Sequence, residues 1–168
     1  MWRGGGEAAS FAHSVFIQLN SVLMKKLALF LAVSFTAFQL SAAEAGWMTD
    51  FAKAQEKAKA EKKLVFMDFT GSDWCPPCKN LHKTVLVAPE FIAFAKDNLV
   101  LMELDFPNNK PQSAELKAAN QKLAQRFKVE GYPTVIVLDA NGKELFREVG
   151  YGGTPAKAYV AKLAKLKK

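Results

Sequence analysis

The chain has 168 residues, half of them hydrophobic and 23% charged, enough for one domain with its own core. Its formal net charge of +7 is spread over amphipathic stretches and a lysine-rich end, without interleaved aromatics or a nucleic-acid motif. Solvated surface accounts for that charge, and nucleic-acid binding is excluded as the working reading. No internal repeat, low-complexity linker or flavin, nicotinamide or haem motif is present, so no cofactor is expected.

Residues 1–23 hold Gly4-Gly5-Gly6, Arg3 as their one basic residue and no periodicity. They read as a non-native or disordered extension ahead of an initiator at Met24. Residues 24–43 have the parts of a secretory signal: Lys25-Lys26, the apolar stretch Leu27 to Phe38, and small residues at Ser41-Ala42-Ala43. An apolar core of about a dozen residues falls short of the ~20 needed to span a bilayer. Cleavage leaves residues 44–168 as one exported domain, periplasmic or secreted, with His82 as its only histidine.

Strand and helix signals alternate through that domain, which predicts an α/β fold. Trp47 to Lys63 has Phe51, Ala54 and Ala58 at helical spacing, with Thr49 or Asp50 able to cap the start. Leu64 to Phe69 is a nearly continuous apolar run, as in a strand buried on both faces. Lys79 to Val87 predicts helix, restarted or kinked at Pro89 before Phe91, Phe94 and Ala95 resume the apolar face. Leu99 to Leu104 is the next strand, Asp105 to Pro111 is loop, and Ser113 caps a helix to about Phe127. Thr134 to Leu138 and Glu144 to Val149 flank Asn141-Gly142 and form an antiparallel hairpin. Pro155 to Leu166, with Tyr159, Leu163 and Leu166 on one side, is a closing helix.

Cys75 and Cys78, the only cysteines, stand in Trp74-Cys75-Pro76-Pro77-Cys78-Lys79 directly after the first strand. A strand ending in a turn that opens a helix can expose one sulfur and tuck the other behind it. Closing so small a loop removes little unfolded-state entropy, about 2 kcal/mol, so the pair suits redox turnover better than stapling. Both prolines lack an N–H, which leaves the Cys78 N–H as the backbone donor to the Cys75 sulfur. Thiolate depression is then mild and the couple reducing, with Lys79 as the opposing charge. His82, four residues after Cys78, gives three candidate metal ligands without a fourth, and a helix-surface histidine is the favoured reading.

With Asp68-Phe69, the cysteine motif, Gly131-Tyr132-Pro133-Thr134, Asn141-Gly142 and Val149-Gly150 in this order, Phe51 to Leu166 resembles the thioredoxin superfamily. More narrowly, it is similar to the secreted bacterial thioredoxin-like proteins. The resemblance implies a central mixed β-sheet flanked by helices. It implies Cys75 as the attacking thiol and Cys78 as the resolving one, and Pro133 as a cis-proline beside them. It also implies a client groove lined by Trp74, Pro76, Tyr132 and Gly150. Asp68 takes the place of the family's proton-relaying aspartate, one residue further from the first cysteine than usual, with Gly71-Ser72 absorbing the extra residue. Glu103 or Met102 stands where the family has the partnering lysine.

The expectation is a thiol-disulfide oxidoreductase, in the reducing direction, acting on cysteine-containing client proteins. A membrane or periplasmic thiol protein would recycle a monomeric enzyme. The alternatives are an oxidase or isomerase of the same fold, and a metal-handling or redox-sensitive binding protein without turnover.

Overall fold

The apolar run at Leu64 becomes strand β1 (Leu64–Thr70), all seven of its residues buried, because it lies between two neighbouring strands and under helices on both faces. The structure is a computed structural model and describes residues 46–167. The extension and signal segment read at 1–23 and 24–43 therefore lie outside the described residues. Helix α1 (Phe51–Glu61) precedes β1, and α2 (Pro76–Leu81) and α3 (Pro89–Asn98) follow it. Then come β2 (Leu99–Asp105), α4 (Ala114–Arg126), β3 (Thr134–Leu138), β4 (Glu144–Val149) and α5 (Ala156–Ala164). The sheet order is β2-β1-β3-β4. β1 pairs parallel with β2 and antiparallel with β3, and β3 with β4 antiparallel. This is the central mixed β-sheet flanked by helices that the resemblance implied.

Side chains alternate across β1 and build two cores. Leu64 and Phe66 pack with Leu81, Val85, Phe91, Tyr159 and Leu163 under α2, α3 and α5. Val65, Met67 and Phe69 pack with Ala54, Ala58, Leu123 and Phe127 under α1 and α4. Asp68 continues the Leu64, Phe66 series, so this one carboxylate of β1 is directed to the α2 side.

Three elements differ from the sequence reading. Residues 47–50 are not helical: Met48 forms a parallel bridge to Met102, its N–H donating to Leu101 O and its C=O accepting from Glu103 N–H, both at 2.9 Å. The Asp50 carboxylate accepts from the Lys53 N–H, and an N-cap with that bond fixes the helix start at Phe51. The helix expected from Lys79 to Val87 stops at Leu81 and passes into one π turn, His82–Leu86. The wider turn carries both Val85 and Leu86 into the core, and Pro89, lacking an N–H, then starts α3. The hairpin loop turns on Asp139, whose carboxylate accepts from Asn141 and Lys143 N–H, while only Gly142 takes a positive φ of 86°.

Candidate active site

Cys75 is the N-cap of α2 and is disulfide-bonded to Cys78. Its sulfur accepts the Cys78 N–H at 3.3 Å, the donor that two prolines leave in place. The expectation of one open and one hidden sulfur is not met in this oxidised state: Cys75 is 2% and Cys78 3% exposed. The closed ring turns the two sulfurs toward each other, so burial alone does not distinguish them. Pro76 is exposed and Pro77 half-buried beside them.

The Tyr132–Pro133 peptide is cis. The Pro133 carbonyl accepts the N–H of Gly150 at 2.7 Å, and Gly150 has φ 78°, a conformation few other residues adopt readily. The Tyr132 N–H and C=O make no hydrogen bond among the described residues.

Trp74 stands 40% exposed next to the disulfide. Its Nε1 donates to the Phe106 carbonyl at 2.7 Å, and its ring meets Tyr132 edge-on at 5.8 Å. The Phe106 ring lies 5.1 Å from that of Tyr132 and completes a cluster of three aromatics. Two anchors hold this cluster in place. The Asp73 carboxylate accepts the N–H groups of Asn108, Asn109 and Lys110, which hold its pKa below the usual range. The Asp105 carboxylate accepts Ser72 N–H and Oγ–H. Residues 71–73 and the loop after β2 are thereby sewn together. Phe106, Asp73 and Asp105 were not identified from sequence, since their partners lie more than thirty residues away.

Gly71 permits the close approach of the indole: a Cβ there would lie 2.5 Å from Trp74 Cε2. Gly71→Ala is expected to displace Trp74, break its bond to Phe106 and destabilise the protein by about 1–3 kcal/mol. Tryptophan emission, assigned against Trp74→Phe, should shift to the red, and an unmoved spectrum would contradict the close packing.

Behind Cys78 lies a cavity of about 260 Å³ lined by Asp68, Thr70, Lys79, His82, Glu103 and Lys110, among others. Strand register places Glu103, not Met102, directly opposite Asp68. Asp68 is 5% exposed, and its Oδ1 is buried without a hydrogen-bond partner among the described residues. Burial, then the charges of Glu103 and Asp105, push its pKa up to about 7. Burial and Asp105 also raise Glu103, against the lowering effect of Lys110 and His82. The Lys79 ammonium donates to the Asp73 carbonyl at 2.7 Å, which fixes its head on the turn. His82 lines the cavity and is exposed, and no three His, Cys, Asp or Glu side chains among the described residues are placed to hold a metal ion.

The chain is similar to known proteins in sequence and in fold. The thioredoxin-like domain family pattern covers residues 51–167. The disulfide bond reductase DsbH of Chlamydia pneumoniae is 37% identical over 124 residues, spanning 74% of each chain. A solved structure titled DsbH Oxidoreductase superposes with a TM-score of 0.68 at 35% identity, covering 77% of this chain and 88% of that one. The thiol:disulfide interchange protein DsbD of Cronobacter sakazakii is 37% identical over 59% of this chain but only 16% of its own length.

Proposed function

The chain belongs to the thioredoxin-like thiol-disulfide oxidoreductases, and from that premise we propose that it reduces disulfides of cysteine-containing proteins outside the cytoplasm. Cys75 attacks the client disulfide as thiolate, one client sulfur leaves, and Cys78 then displaces the other from Cys75. The client strand lies along Pro133, pairs with the free N–H and C=O of Tyr132, and is flanked by Trp74, Pro76 and Gly150. Asp68 exchanges a proton with Cys78 across the cavity they share. A membrane or periplasmic thiol protein returns the pair to the dithiol, and export follows from the signal read at 24–43.

The observation that carries the reducing direction is the field around the pair. Asp68 and Glu103 share the cavity behind Cys78, Asp105 adds to the charge on Asp68, the opposing Lys79 ammonium is held on the Asp73 carbonyl, and the Cys75 sulfur accepts one backbone N–H. Nearby carboxylates and few donors disfavour thiolate, which weakens the reduced form and lowers the potential. The name of the Chlamydia relative points the same way. Equilibration with glutathione should give a potential near the about −270 mV of thioredoxin, not the about −120 mV of a strong oxidant. A value above about −180 mV would instead favour the oxidase or isomerase reading.

A further inference from the structure

Across the sheet, Glu103 of β2 lies opposite Asp68 of β1, and the two share one cavity with Cys78 and His82. Exposure rises along this line, from buried Asp68 through half-buried Glu103 to exposed His82. Among the described residues the orphaned Asp68 Oδ1 has no route through protein hydrogen bonds, while a cavity of about 260 Å³ has room for several waters. We propose that Glu103 and His82 are positioning residues of a proton exit, through which the proton Asp68 takes from Cys78 reaches solvent. This rests on the Asp68 role proposed above.

In ring closure the Cys78 thiol gives its proton to the Asp68 carboxylate, and the Cys78 sulfur attacks Cys75. The Cys75–client bond breaks, the Cys75–Cys78 bond forms, and the client sulfur leaves with the electron pair as thiolate. One proton then remains on Asp68. The titratable groups facing it are Glu103 and Asp105 of β2, Lys79 of α2, His82 of the π turn, Lys110 of the loop and Tyr159 of α5. Both lysine ammoniums carry no lone pair, and their heads are tied to the Asp73 carbonyl and Ser72 Oγ. The Asp105 oxygens are engaged by Ser72. Tyr159 is held protonated by burial and by Glu148. Glu103 and His82 remain, and both a carboxylate and an imidazole can accept and release the proton.

The test is stopped-flow oxidation of the reduced full chain by glutathione disulfide at low buffer concentration, with ring closure read by tryptophan fluorescence and the proton release that follows it by a pH-indicator dye. Glu103→Gln and His82→Gln should each delay proton release behind ring closure several-fold, with added imidazole restoring the release rate. His82→Gln should leave the equilibrium potential unmoved. Wild-type release rates in both variants, or a delay that imidazole does not relieve, would overturn the exit while Asp68→Asn still slows closure. An unchanged rate in Asp68→Asn would overturn the Asp68 role and the exit with it.

Discussion

Cys75→Ser is expected to abolish disulfide reduction, a loss of about 10³-fold or more, because removing the nucleophile leaves no group to form the mixed disulfide. Cys78→Ser should behave differently, keeping the attacking thiol and accumulating clients in covalent complexes. Equal burial of the two sulfurs does not predict this asymmetry. It comes from position: Cys75 caps α2 and receives a backbone N–H, whereas Cys78 borders the cavity with Asp68. Insulin reduction measures the first effect, and non-reducing electrophoresis of the protein isolated from cells the second. Mixed disulfides in Cys75→Ser and none in Cys78→Ser would reverse the roles.

Asp68→Asn should stabilise the oxidised protein at alkaline pH while slowing its chemistry. The Asp68 pKa rises from an ordinary 3.8 to about 7 on folding. Between those values the folded state holds a proton that the unfolded state has released, so stability falls as pH rises through this window. Above about pH 7 the buried carboxylate is charged and its full penalty is present. Asparagine removes it, with a gain of up to about 4 kcal/mol at pH 8 that disappears below about pH 4. Urea unfolding of both proteins at pH 4, 6 and 8 checks this, and parallel pH profiles would refute it. Ring closure should meanwhile slow by about 10²-fold, the usual contribution of a positioned acid or base.

Hydrophobic period and residue spacing were enough to read the alternating elements, the hairpin and the cysteine pair, while the family resemblance supplied the cis bond at Pro133. Those features are local: β1 is a run of apolar residues, Cys75 and Cys78 are three apart, and Pro76-Pro77 removes donors wherever the helix points. Even the Cys78 N–H bond to the Cys75 sulfur follows from two adjacent prolines. Short-range rules did not reach features that depend on a partner distant in the chain. Residues 47–50 became an edge bridge because β2 offered Leu101 and Glu103 backbone groups beside them. The choice between Glu103 and Met102 beside Asp68 required the parallel register of β1 and β2, since a slip of one residue turns the other side chain to that face. Phe106 and Asp73 join the site through contacts across the sheet end. The sequence by itself determined the dithiol and its two neighbouring prolines, because covalent spacing and missing N–H groups need no fold. Only the tertiary structure decided the carboxylate field behind the sulfurs, because burial and strand pairing place Asp68, Glu103 and Asp105 within reach of one another and raise the Asp68 pKa to about 7.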